Sequence, residues 1–231
     1  MPSSTEAPLA AAVVVAGGSG QRVGGAVRKQ YLEVAGEPIL LRAVRPFLVH
    51  PGIGSVVVVL PPEDAANPPA WLVETGVRVV PGGEERGDSV RNGLLATPDD
   101  APVVLVHDGA RPFVSAEVIG RVLEAAREGA AIAAVPVSDT IKEVGPDGTV
   151  RSTPDRSRLR GAQTPQGFPR ALLLDVHARA GAEGFRATDD AALCERFGVP
   201  VRVVEGAAEN FKVTRPVDLV LAEALARHLP D

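Results

Sequence analysis

Cysteine is almost absent from this sequence, with Cys194 standing alone among 231 residues. A single thiol excludes an internal disulfide and a cysteine-built metal cluster, and it fits a reducing cytoplasm. Aromatic residues make up only 3%, so the core has to be assembled from Val, Leu and Ala. A basic excess is missing as well: 24 Lys and Arg against 29 Asp and Glu leave a net charge of −5. That balance argues against a general nucleic-acid or membrane surface and requires any basic patch to be local. The first apolar run, residues 11–16, has no Lys or Arg before it and ends in glycines. It is read as neither a signal peptide nor a membrane span, and residues 1–8 as a loose tail.

What the chain does have is hydrophobic residues, at 45%, punctuated by 24 Gly and 21 Pro. That content is enough for a sizeable core. Apolar, β-branched runs at 11–16, 56–60, 77–80, 103–106, 131–135 and 201–204 read as strands. Helical patterns lie between most of them, at 39–48, 89–95, 115–128, 170–179, 188–197 and 216–229. Ser115 and Thr188 are the expected N-caps of two of these helices. The last helix is expected to bury Val217, Val220, Leu221 and Ala224. Continuous apolar runs alternating with helices predict an α/β fold: a Rossmann-like, mostly parallel sheet with helices on both faces. We expect one domain over 1–231, with 61–69 as a strand-to-helix loop. Residues 138–163 break the alternation. Their arms around Gly145-Pro146-Asp147-Gly148 read as a polar β-hairpin too weak to stand alone, best stabilised by a second copy of the chain.

Ligands of open parallel sheets bind beyond the carboxyl ends of the strands, so the residues there are the candidates. The first strand runs into Ala16-Gly17-Gly18-Ser19-Gly20-Gln21-Arg22, with Arg28-Lys29-Gln30 after it. Glycines allow a tight turn whose N–H groups converge on an anion, and Arg22 and Lys29 add full charges. The same glycines would also serve a plain strand-to-helix turn. The dinucleotide fingerprint fails at Val23, and no Gly-Lys-Ser/Thr closes a Walker loop. After the third strand, Gly82 to Ser89 offers backbone groups for a base edge and Ser89 as a helix cap. After the fourth, Asp108 is placed to ligate Mg²⁺ alongside substrate phosphates, and Arg111 to clamp a second phosphate. Asp108 would equally cap a turn. His107 reads as a packing or orienting residue, and no Ser–His–Asp set can be assembled. Arg22, Lys29, Arg111, Arg156 and Lys212 form a cationic set in an acidic chain, which suits a pair of highly anionic substrates.

The stretches 18–22, 29–31, 106–112, 138–142, 163–166, 188–190 and 211–214 together resemble the 2-C-methyl-D-erythritol 4-phosphate cytidylyltransferase family of nucleotidyltransferases. The resemblance runs over residues 11–224. It implies the nucleotidyltransferase fold with a protruding dimerisation arm at about 138–160. It also implies cytidylyl transfer from CTP to the polyol phosphate in non-mevalonate isoprenoid precursor synthesis, in the cytoplasm. By family position, Arg22, Lys29 and Lys212 would be catalytic, and Ala16, Gly17, Gly18, Gly20, Gly83, Glu84 and Ser89 would bind the nucleotide. Arg111, Thr164 and Thr188 would face the second substrate, and Asp108 would hold Mg²⁺. Thr140 and Arg156 would serve the partner's site in a homodimer that exchanges arms. Arg28 stands where the family usually has Pro, and with Gly24-Gly25 it predicts an open loop without CTP. Because the sequence stops at Asp231, no fused cyclase module is expected. Ribitol 5-phosphate cytidylyltransferase and a catalytically silent nucleotide-binding module are the alternatives.

Overall fold

The computed structural model describes residues 9–17 and 28–228. Seven strands form its main sheet: β1 (Ala10–Val15), β4 (Ile53–Leu60), β5 (Arg78–Pro81), β6 (Val103–Asp108), β7 (Ala130–Pro136), β10 (Arg160–Pro169) and β11 (Val201–Glu205). Their order is β11-β7-β10-β6-β1-β4-β5, and every neighbouring pair is parallel except those made by β10. Two-stranded ribbons join β2 (Glu33–Val34) to β3 (Glu37–Pro38), and β8 (Glu143–Val144) to β9 (Val150–Ser152). The helices are α1 (Ile39–Val49), α2 (Pro62–Ala66), α3 (Ala70–Val73), α4 (Arg86–Leu95), α5 (Ala116–Ala126), α6 (Arg170–Glu183), α7 (Asp190–Arg196) and α8 (Pro216–Ala226).

Side chains leave a strand alternately on opposite faces, so continuous apolar strands feed two cores at once. Ala10, Ala12 and Val14 of β1 join Leu40, Val44 and Phe47 of α1 and Val118, Ile119 and Val122 of α5. Ala11 and Val13 join Val90 and Leu94 of α4, Leu173 and Val176 of α6, and Leu193 of α7. Gly93 lets α4 lie close on the sheet, because a Cβ there would sit 2.4 Å from Val13 Cγ1. That closeness fixes where the amino end of α4 emerges, beside the end of β1.

Several expectations change. The stretch 61–69 is not a plain loop: Pro61 and Pro69 each precede a short helix, α2 and α3, as their fixed φ favours at helix starts. The strand β10 was not expected. Its Gln163, Thr164, Pro165 and Gln166 look wrong for a central strand, yet they are buried between β6 and β7. Their polar groups are satisfied from outside the ladder. Gln163 Nε2 donates to Ala207 O at 2.8 Å, and Gln166 Oε1 accepts from Asp190 N and Ala191 N at 3.2 Å each.

Three local readings are corrected. The cap of α7 is Asp189, whose side chain accepts from Ala192 N, and not Thr188. Ser89 lies inside α4, where Glu85 and Asp88 form the capping box. Ser115 does cap α5. In α8, Val217, Val220 and Leu221 are 65%, 71% and 53% exposed, and the exposed Ala224 shares their face. The helix carries apolar residues on two stripes. The strap through Phe211 and Val213 selects the other one, burying Ala222 with Leu219 and Leu225 partly covered.

Candidate active site

The parallel pairing of β1 with β6 places Val15 opposite Asp108. Ala16 and Gly17, which follow β1, and the acid ending β6 therefore stand side by side. Ala16 is held from both sides, its N–H donating to Val59 O at 2.8 Å and its carbonyl accepting from Gln30 Nε2 at 2.9 Å. Beyond these strand ends opens a cleft of about 680 Å³, within the usual size of small-ligand sites. It is lined by Ala16, Gly17, Lys29, Gly83, Glu84, Ser89, Asp108 and Lys212, all expected from the sequence, and also by Arg28, Glu63 and Arg86. Gly18, Gly20 and Arg22, with the loop whose openness was expected, lie outside the described residues.

The loop between β5 and α4 is shaped by Ser89. Its hydroxyl accepts from Gly83 N and donates to Glu85 O, each at 3.1 Å. Gly83 is needed for close approach, since a Cβ there would meet Asp88 Cβ at 2.3 Å. The loop thus presents backbone groups to the cleft.

Asp108 is the electrostatic centre. Lys212 Nζ lies 2.9 Å from Oδ2, Arg111 Nε 3.6 Å from Oδ2, and Arg86 Nε 3.6 Å from Oδ1. Burial alone would raise its pKa, but the charges of Lys212, Arg86 and Arg111 outweigh burial and hold the carboxyl well below the usual range. Behind it, Thr164 Oγ1 accepts from Asp108 N–H at 3.0 Å and donates to His107 Nδ1 at 3.0 Å. His107 Nε2 then donates to Arg111 O at 3.2 Å, which selects one neutral tautomer. Burial pushes His107 down to about 4, with Asp108 opposing. His107 is an orienting residue of the Asp108–Arg111 turn.

The remaining expected residues do not line the cleft. Arg111 stands behind Asp108, its guanidinium donating to Asn210 O at 2.8 Å. Thr164 is buried, with its hydroxyl already engaged. Thr188 is exposed in the turn before α7. Thr140 and Arg156 belong to the β8–β9 arm region, which is hydrogen-bonded as its own ribbon, and Arg156 donates to Ser138 O. Among the described residues no group of three or more His, Cys, Asp and Glu is arranged to hold a metal, and no helix is long and apolar enough to cross a membrane.

Arg86 was missed. It is the first residue of α4, where a cation opposes the helix dipole; that misfit was the available signal. Arg28 was read only as a departure. Its guanidinium pairs with Glu63 and lies 3.1 Å from Asp64, which also accepts from Tyr31 Oη at 2.7 Å.

A family model described as 2-C-methyl-D-erythritol 4-phosphate cytidylyltransferase matches residues 10–228. A protein of that name from Syntrophus aciditrophicus is 43% identical over 228 residues, covering 95% of this chain and 97% of the relative. The crystal structure of 2-C-methyl-D-erythritol 4-phosphate cytidylyltransferase from Thermus thermophilus superposes with a TM-score of 0.80 at 42% identity, over 93% of this chain and 98% of that one. A 4-diphosphocytidyl-2C-methyl-D-erythritol synthase from Anaerococcus prevotii gives a TM-score of 0.84 at 30% identity, over 95% and 96%.

Proposed function

Since the chain belongs to the 2-C-methyl-D-erythritol 4-phosphate cytidylyltransferase family, we propose that it transfers the cytidylyl group of CTP to 2-C-methyl-D-erythritol 4-phosphate. The products are CDP-methylerythritol and pyrophosphate, in isoprenoid precursor synthesis. The observation that carries the reading is the convergence of Gly17, Lys29, Lys212 and the Ser89-pinned Gly83 loop on one cleft around Asp108.

The chemistry asks for positioning and charge neutralisation more than for covalent help. The polyol phosphate oxygen attacks the α-phosphorus in line, the new P–O bond forms, and the bond to the β-phosphate oxygen breaks to release pyrophosphate. Ala16, Gly17, Gly18 and Gly20 hold the triphosphate by backbone, and Gly83, Glu84 and Ser89 shape the base pocket. Arg22, Lys29 and Lys212 stabilise the charge that gathers on the phosphates; removing one such cation costs roughly 100-fold or more in rate. Arg111, Thr164 and Thr188 act on the second-substrate side from outside the cleft lining, Thr164 through its hydrogen bonds to the Asp108 backbone N–H and to His107.

Asp108 fits a Mg²⁺ held largely by substrate phosphates, because one carboxylate facing the cleft is what such a site requires of the protein. When bound, the ion neutralises phosphate charge. The reading extends to a single domain over 1–231 acting as a cytoplasmic homodimer. Thr140 and Arg156 of the arm serve the partner's cleft.

The test is pyrophosphate release with Mg²⁺ and CTP, run separately with methylerythritol phosphate and ribitol 5-phosphate. Release with the former is expected. Release only with ribitol phosphate would reassign the polyol, and none with either would leave a nucleotide-binding module.

A further inference from the structure

Arg86 connects two acids that belong to different parts of the fold. Its Nη1 lies 2.8 Å from Asp190 Oδ2, and its Nε 3.6 Å from Asp108 Oδ1. Asp190 is fixed in turn. Its side chain is 1% exposed, and Oδ1 takes His177 Nε2 at 3.0 Å. Its backbone N–H donates to Gln166, which also donates to Asp189 Oδ2 at 2.8 Å. Gln166 pairs with Val106 across β10 and β6, so the anchor of Arg86 is tied to the strand that ends in Asp108.

Two features speak against a merely structural ion pair. A buried carboxylate–guanidinium pair is a poor source of stability, since desolvation offsets much of its attraction. A cation at the first position of α4 also opposes that helix's dipole. The arrangement makes sense at the cleft, which Arg86 lines. Lys212 and Arg111 address Asp108 Oδ2, whereas Arg86 addresses Oδ1. A carboxylate torsion is intrinsically broad, and contacts on both oxygens hold it in one plane.

We propose that Arg86, braced by Asp190, is a positioning residue for the transfer: it sets the plane of the Asp108 carboxylate from the side opposite Lys212. Asp108 would hold its orientation toward the phosphates only while Arg86 is braced. This rests on the transferase reading above, and wild-type turnover tests that reading separately.

The experiment compares Arg86→Lys, Asp190→Asn and the double variant, following pyrophosphate release and, by calorimetry, CTP binding. A lysine cannot span both acids, so Arg86→Lys is expected to lower kcat about 30- to 100-fold with KM for CTP within about threefold, the scale for a catalytic group displaced by about 1 Å. Asp190→Asn should lower kcat about tenfold, and the double variant should be no worse than Arg86→Lys, because both break one brace. A kcat of Arg86→Lys within threefold of wild type would overturn the proposal. So would a loss confined to KM for CTP, or strictly multiplicative losses in the double variant. Arg86→Gln serves as a second substitution. If both Arg86 variants fail to fold, the residue is structural and the proposal is lost.

Discussion

Lys212 Nζ sits 2.9 Å from Asp108 Oδ2, so the acid expected to hold a metal is already facing a lysine. With Arg86 and Arg111 also within 3.6 Å, the local field opposes a free divalent cation. We therefore expect Mg²⁺ to bind with the nucleotide, whose phosphates add oxygen ligands and negative charge. Calorimetric titration of Mg²⁺ into nucleotide-free protein should show no saturable binding at millimolar concentration, and clear binding once CTP is present. Stoichiometric uptake without nucleotide would contradict this.

The pair Arg28–Asp64 sets a second expectation. Arg28 has φ −63° and ψ 139°, a conformation proline also adopts. Its ion pairs to Glu63 and Asp64 and the Tyr31–Asp64 bond dock the start of the Lys29 turn onto α2. Partly exposed pairs are worth about 0–1 kcal/mol, so Arg28→Ala should raise KM for CTP about threefold to fivefold. Arg28→Pro keeps the backbone and should recover most of that loss. If Arg28→Ala matches wild type at low salt, the docking role is wrong.

His107 makes stability depend on pH. Its folded value is pushed down to about 4 from 6.5. The unfolded chain takes up a proton as pH falls through about 6.5, while the folded one stays neutral to about 4. Stability therefore falls with falling pH across that window, by about 3 kcal/mol from this group. Asp108 and Asp190, both depressed, add losses only at lower pH, as the sign for carboxylates requires. Urea denaturation at pH 7, 6, 5 and 4 should show the decline, and His107→Gln should flatten it while costing about 1–3 kcal/mol at pH 7. An unchanged slope in the variant would assign the dependence elsewhere.

The arm reading predicts complementation. Lys29→Ala and Arg156→Ala proteins should each be inactive as homodimers, the first in its own cleft and the second through the partner's. Mixed and allowed to exchange, they should regain about a quarter of wild-type activity, since a shared dimer has one intact site and half the dimers are mixed. No recovery after demonstrated exchange would count against a shared site.

How much was legible follows from what each residue's role depends on. The strands β1, β4, β6 and β7 were readable because both faces are largely buried, which demands continuous apolar runs; the more exposed edge strands β5 and β11 were readable from their valines. That Asp108, Lys29, Ser89 and Lys212 share one cleft was readable because they stand at or beyond the carboxyl ends of strands. Gln163, Thr164 and Gln166 concealed β10, since their polarity is acceptable only with partners more than 20 residues away, at Ala207, His107 and Asp190. The buried stripe of α8 was misjudged for a related reason: two apolar stripes compete, and the strap at Phe211 and Val213 chooses.

By itself the sequence determined the layered α/β architecture and the chemical types brought to the strand ends, because periodicity and the order of elements are local properties. Only the tertiary structure decided which oxygen of Asp108 each cation addresses and that Arg86 is braced by Asp190, 104 residues away. It also decided that Arg28 is held by α2. Those relations depend on distances between elements, and side-chain charges acquire a site only when packing sets such distances to within an ångström.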